Sequence, residues 1–270
     1  MDRLVGTKQE GDALQGRGVL QSTDEWEARN SQLADSFSDL INEHVLFRTG
    51  NALDIGCQNG ELTDRYASAT ALHWQGIEPD IGRPTRSPAG LEMLPGVAHA
   101  LPFSDQSFDC VTLANVFEHL EPALHNASMA EIHRVLAPDG ILVGQIPNPY
   151  FPIESHSRLP FFGLVPYRLQ PLYWKLTPTG WDFEKAHFFI VTIRHVKKAA
   201  AAAGLSVVLT KNFNYRPDAI PKALRLAARL HSHLGIMPWA WQFVFRRLPV
   251  GRTSKQEESS CALANQKIAP

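Results

Sequence analysis

The stretch Ala52-Leu53-Asp54-Ile55-Gly56-Cys57-Gln58-Asn59-Gly60 carries the reading of the fold. A short apolar run meets a turn bounded by two glycines, and Glu61 to Ala69 then reads as a helix. The glycines supply the backbone freedom a tight turn needs, and Gly60 opens a helix whose N-terminus faces whatever the turn cradles. Asp54 stands inside the apolar run, where a carboxylate is costly unless it has partners. A second run, Leu72 to Ile77, ends at Glu78, 18 residues after Gly60. That separation suits one strand-helix-strand unit, and an acidic residue at the second strand end can accept both hydroxyls of a ribose.

Working outward, the same alternation continues. Upstream, Ser22 and Glu25 have capping-box spacing, and Trp26, Leu33, Phe37, Leu40 and Ile41 recur at helical spacing towards His44. Downstream, 81–95 is rich in Pro, Arg and Gly and reads mostly as loop, with a short third strand expected near Val97–Ala98. Phe108 to Asn115 reads as a buried fourth strand and Ala123 to Leu136 as a helix. Pro138-Asp139-Gly140 is a turn before a fifth strand, Ile141 to Ile146. A helix from Thr192 to Ala203 stops at Gly204, and Leu205 to Leu209 suggests a sixth strand. Trp239 to Phe245 fits a last strand or a helix. Five strand signals in about a hundred residues argue for a doubly wound α/β sheet, mostly parallel, with ligands beyond the carboxyl ends of the strands.

Composition narrows the class. With 44% hydrophobic and 20% charged residues among 270, a sizeable core is affordable. Basic and acidic residues number 26 and 27, which opposes nucleic acid as a partner. Three scattered cysteines, Cys57, Cys110 and Cys261, have no metal-type spacing and suit a reducing, cytoplasmic compartment. No apolar run is long enough to span a bilayer. Residues 1–22 are expected to be a disordered leader, 23–250 the folded domain and 251–270 a disordered tail.

At this point a resemblance becomes specific. Leu53 to Gly60 is similar to motif I of the class I S-adenosylmethionine-dependent methyltransferases. So are Leu101-Pro102-Phe103-Ser104-Asp105-Gln106-Ser107-Phe108-Asp109, Val116-Phe117-Glu118-His119-Leu120 and Arg134-Val135-Leu136-Ala137-Pro138-Asp139-Gly140, in that order. The resemblance implies a Rossmann-like methyltransferase sheet with S-adenosylmethionine as cofactor. It implies that Gly56, Cys57, Gln58 and Gly60 pass the methionine part, that Asp54 orients the loop or the amino group, and that Glu78 holds the ribose. Ala98 then borders the adenine, and Asn115 with Val116 touches the methionine end. Two departures are Gln58, where the family often has Gly, and Val97, where many members have an Asp.

The methyl acceptor is expected to be a small molecule, through an oxygen, with nitrogen or carbon as the alternatives. Glu118 and His119 follow the fourth strand and form the first acid–base pair of candidates. The segment resembles ubiquinone-pathway O-methyltransferases, some of which hold a metal, but Asn115 removes one carboxylate and no metal is expected. Glu154 and His156 form the second pair, just past the fifth strand, with Arg158 beside them and His187 as a weaker third choice. Residues 147–189 hold seven prolines and many aromatics, which make either the core of a lid or a pocket for a large apolar acceptor such as a lipid or quinone. The amphipathic stretch 219–236, with Arg225 and Arg229 and with Arg246 and Arg247 nearby, is the expected point of weak membrane-surface contact through 219–247. Two competing readings are a cofactor-binding pseudoenzyme or assembly partner, and a nicotinamide oxidoreductase. The second lacks a Gly-x-Gly-x-x-Gly loop.

Overall fold

Strand and helix signals from Gly50 onward build one eight-stranded sheet with helices on both faces. The computed structural model describes residues 23–46, 49–154, 157, 159–177, 183, 188–219 and 237–247. The expected leader, tail and 221–234 helix, and the candidates His156, Arg158 and His187, lie outside the described residues.

In chain order the main elements are α1 (Thr23–His44), β1 (Gly50–Ile55), α2 (Glu61–Ala69), β2 (Leu72–Glu78), β3 (Thr85–Arg86), β4 (Glu92–Pro95) and β5 (Phe108–Ala114). Then follow α3 (His125–Val135), β6 (Leu136–Pro147), α4 (Gln170–Trp174), α5 (Ile193–Ala202), β7 (Leu205–Phe213) and β8 (Ala240–Arg247). The sheet order is β3-β4-β2-β1-β5-β6-β8-β7. The strands β4, β2, β1, β5 and β6 run parallel, while β8 lies antiparallel between β6 and β7.

Alternation along the strands sorts side chains to two cores. Leu53, Ile55, Val111, Leu113, Leu142 and Phe243 face α3 and α5 through Met129, Ile132 and Val196. Ala52, Cys110, Ile141, Val143 and Val244 face the other way, under Phe37 and Ile41 of α1 and Tyr66 of α2. Phe37 stacks on Tyr66 with ring centroids 5.6 Å apart.

Several expectations needed correction. The third parallel strand is Glu92–Pro95, paired with Gln75–Glu78, and not Val97–Ala98, which contributes only a bridge from Val97 to Ala100. Its one buried apolar side chain, Met93, sits among prolines and glycines, so periodicity does not reveal it. Residues 81–95 therefore hold two short strands. The helix after β5 starts at His125, preceded by a 3-10 turn at Pro122–Leu124, and ends at Val135. Pairing of Phe108 with Leu136 draws the Pro138-Asp139-Gly140 turn into the start of β6 as an irregularity. The sixth strand runs on to Phe213, and Ala240–Arg247 is a strand.

The second and fourth motifs meet in a clamp. Arg134 donates through Nε to Glu131, through Nη1 to the carbonyl of Phe103 and to Asp105, and through Nη2 to the carbonyl of Leu101 and to Glu131. All five guanidinium N–H groups are thus used. The Leu101-Pro102-Phe103 turn is held against α3.

Candidate active site

Asp54 is buried at 2% exposure and has found its partners. Thr63 of α2 donates to one carboxylate oxygen at 2.6 Å, and Thr112, in register on β5, donates to the other at 2.7 Å. Burial raises its pKa to about 6, against the two hydroxyl bonds, which pull it down. The carboxylate therefore ties β1, β5 and the first turn of α2 into one block just beneath the loop.

The loop itself is left-handed at three positions: Gly56 (φ 74°), Gln58 (φ 52°) and Gly60 (φ 81°). A Cβ on Gly56 would lie 2.5 Å from Val116, so the β1 loop touches the turn after β5. Gly56 and Cys57 both donate to the carbonyl of Ile77. The Cys57 thiol packs against Gly76, and burial pushes its pKa far up, so it is no nucleophile. Gln58, the departure from glycine, accepts the strained conformation and places its N–H 2.8 Å from Glu78 Oε2. Glu78 is largely buried at the end of β2, its pKa raised by desolvation. Its other oxygen lies 3.5 Å from the Asp80 N–H, at the outer limit of a bond.

Ala98 is buried beyond β4, beside the partly exposed Val97. Asn115 turns out of β5 with φ 56°. Its N–H donates to the carbonyl of Gln145, and the Gln145 amide donates back to Asn115 Oδ1 at 3.1 Å. Gln242 donates to Gln145 Oε1 at 3.0 Å, and Ser36 of α1 donates to Gln242 Oε1 at 2.8 Å. The predicted cofactor residues Asp54, Gly56, Cys57, Gln58, Gly60 and Glu78 thus gather beyond β1 and β2, with Asn115 and Val116 abutting them. Thr63, Thr112, Gln145 and Gln242 escaped sequence reading. Their signal is a lone polar residue inside an apolar strand or helix face.

The acid–base candidates part company. In the 3-10 turn Phe117–His119, His119 is exposed and Glu118 buried. Glu154 is buried, and its Oε2 accepts the Ser157 N–H at 2.6 Å, inside a hairpin bridged by Ile153 and Pro160. A further pair was not foreseen. His125 Nδ1 lies 2.8 Å from His195 Nε2, and His125 Nε2 donates to the carbonyl of Leu120 at 2.9 Å. Burial lowers the pKa of His125, which stacks on Phe117. Neutral His125 thus accepts from His195. Next to this pair a cleft of about 390 Å³ opens between Pro122, Val165, Tyr167, Gln170, Phe189 and Ile190. A larger one of about 540 Å³ lies at Asn51, His73 and Phe108, at the amino ends of the strands, away from this chemistry.

The aromatics of 147–189 divide. Phe162 and Trp174 form a small core with Leu159, against which Tyr173, Phe183 and Phe188 pack, and Phe151 packs on Trp239. Tyr150, Phe161 and Tyr167 face outward.

A mostly parallel sheet with a glycine-bounded first loop and an acidic end to its second strand defines the doubly wound, nucleotide-binding class of folds. A family profile described as a methyltransferase domain matches residues 53–144. The ubiquinone/menaquinone biosynthesis C-methyltransferase UbiE of Marinomonas sp. (strain MWYL1) is 30% identical over 148 residues, half of this chain and 57% of that protein's length. Solved structures share the fold at low identity. They include the cyclase SpnF, with TM-score 0.51, 20% identity and 82% of each chain covered. A geranyl diphosphate C-methyltransferase from Streptomyces coelicolor A3(2) has TM-score 0.53 and 12% identity, covering 80% of this chain and 78% of that one. Residues 53–144 thus match a methyltransferase domain, on a chain that spans 57% of the length of the curated relative it matches.

Proposed function

We propose that the protein transfers a methyl group from S-adenosylmethionine to an oxygen of a small, apolar, lipid- or quinone-like acceptor. The observation that supports it best is the junction of Glu78 with the left-handed loop Gly56–Gly60, where an acidic side chain and close-approaching backbone share one edge. S-adenosylmethionine supplies an electrophilic methyl on a sulfonium, and its in-line displacement depends chiefly on positioning.

In this reading Gly56, Cys57, Gln58 and Gly60 wall the methionine part by backbone. Asp54 holds that wall and places negative charge beneath it. Glu78 keeps the oxygen not committed to Gln58 for ribose hydroxyls. Ala98, next to Val97, borders the adenine, and Asn115 with Val116 fixes the methionine end. The segment 147–189 acts as a substrate lid, and the apolar cleft at Phe189 and Tyr167 admits the acceptor. A base is needed only where the acceptor must lose a proton. Exposed His119 is the favoured group, followed by Glu118, Glu154 and His156.

Two outcomes compete. UbiE is named a C-methyltransferase, so carbon is the rival acceptor atom. A cyclase on this fold keeps a cofactor-binding protein without methyl transfer in play. Calorimetry with S-adenosylmethionine tests the cofactor assignment, and labelled-methyl transfer with identification of the methylated atom separates these two from the main reading. Micromolar binding should vanish in Gly56→Arg and weaken about tenfold in Glu78→Ala, the scale of one lost charged hydrogen bond. A well-folded wild type that binds nothing overturns the cofactor assignment. Binding without labelled-methyl transfer to any quinone, lipid or phenol favours the non-catalytic reading.

A further inference from the structure

Among the described residues, six of the eleven exposed large hydrophobic side chains fall within 161–176: Phe161, Leu164, Tyr167, Leu169, Leu172 and Leu176, each 52–69% exposed. They are not remnants of an unformed core, because the same segment buries Phe162, Gln170 and Trp174. On a helical wheel through the 3-10 turn Tyr167–Leu169 and α4, Leu169, Leu172 and Leu176 share one arc with Arg168 and Lys175. Gln170 and Trp174 point the opposite way, into the protein.

Charge identifies what fits this arc. Between Glu154 and Asp182 the sequence holds Arg158, Arg168 and Lys175 and no acidic residue, in a chain with one acidic residue in ten. Arg168 and Lys175 are exposed and interleave with the leucines. A second copy of the same face would set these cations against like charges. An anionic bilayer accommodates both features: leucines enter the acyl boundary, and Lys and Arg stems extend along them to headgroup phosphates.

We propose that residues 161–176 dock the protein on the surface of an anionic lipid bilayer. This surface differs from 219–247, where Arg246 donates to the carbonyls of Asp139 and His44, and Arg247 to those of Arg134 and Leu136. Docking does not depend on methyl transfer. If the methyl-transfer reading holds, Tyr167 and Gln170, which also line the 390 Å³ cleft, put the cleft mouth at the membrane, open to an acceptor dissolved there.

The test is co-sedimentation of the full chain with vesicles of phosphatidylcholine, with and without phosphatidylglycerol. Binding is expected to the anionic vesicles and to weaken with added salt. Leu172→Glu should cut partitioning tenfold or more, from about one leucine's burial. Arg168→Gln with Lys175→Gln should cut it about twenty-fivefold, at roughly fivefold per cation. Unchanged melting by circular dichroism checks the fold of each variant. Three results overturn the proposal. They are no binding by wild type, binding that survives both variants, and a concentration-dependent oligomer that Leu172→Glu dissolves while lipid binding is absent. None of them touches the cofactor measurement.

Discussion

Gln145 holds Asn115 twice, accepting its N–H at the carbonyl and donating from its own amide to Asn115 Oδ1. Because Gln145 also accepts from Gln242, and Gln242 from Ser36, the turn at the end of β5 is braced from the far side of the sheet. Gln145→Leu should leave two buried polar groups unpaired and cost about 2 kcal/mol, about 5 °C in Tm. Gln145→Glu keeps the acceptor for Gln242 and loses the donor to Asn115. Its melting at neutral pH should fall at least as far as that of Gln145→Leu, because the carboxylate would be buried, and its S-adenosylmethionine affinity should fall as well. Equal affinity in wild type and Gln145→Glu would remove Asn115 from the cofactor site.

Asp54 gives an unusual pH signature. Its pKa is about 6 in the folded protein and near 3.8 without burial. The folded state therefore holds the extra proton between these values, and stability falls as pH rises from about 4 to 6. The cost at neutral pH is about 3 kcal/mol, at about 1.4 kcal/mol per pKa unit. Cofactor affinity should run the other way, since a cationic ligand favours the ionised form. Melting and calorimetry between pH 5 and 7.5 check both slopes, which Asp54→Asn should flatten. Parallel slopes in the variant would place the titration elsewhere.

His125 works in the opposite sense. Its folded pKa lies below 6.5 through burial, so the unfolded chain takes up the proton first and stability falls as pH drops below about 6.5. His125→Gln should lose that acid sensitivity. The difference in Tm between pH 7.5 and 5 is the readout, and an unchanged difference would show that His125 is not the source of the acid sensitivity.

Arg134→Lys should cost about 2 kcal/mol, because three ammonium donors cannot replace five. The ion pairs with Glu131 and Asp105 add little, since the Arg134 side chain is 30% exposed and screened. The loss should concentrate in the carbonyl bonds to Leu101 and Phe103. Hydrogen exchange should therefore rise at 101–107 and leave β1 protected. Uniform protection in the variant would mean the turn holds itself.

Which parts were legible follows from where each signal resides. The parallel core and α2 could be read because apolar alternation and two glycines leave local marks, and Glu61–Ala69 agrees to the residue. Strand β4 could not, since its identity comes from pairing with β2 and its own sequence holds one buried apolar side chain. The site divides likewise. Asp54, Gly56, Gly60 and Glu78 announce themselves by being misplaced in their context. Thr63, Thr112 and the Gln145–Gln242 chain matter only through neighbours distant in sequence. His125 and His195, 70 residues apart, meet because α3 and α5 share a face of the sheet.

The contact between Gly56 and Val116 has a mechanical consequence. With Asp54 bonded to both Thr63 and Thr112, it locks the loop after β1 to the turn after β5, so neither can swing without the other. The floor of the site is thus cross-tied between β1, β5 and α2. If the segment after β6 is the proposed substrate lid, adjustment around a ligand is expected on that side, where Leu159, Phe162 and Trp174 pack into a small core of their own.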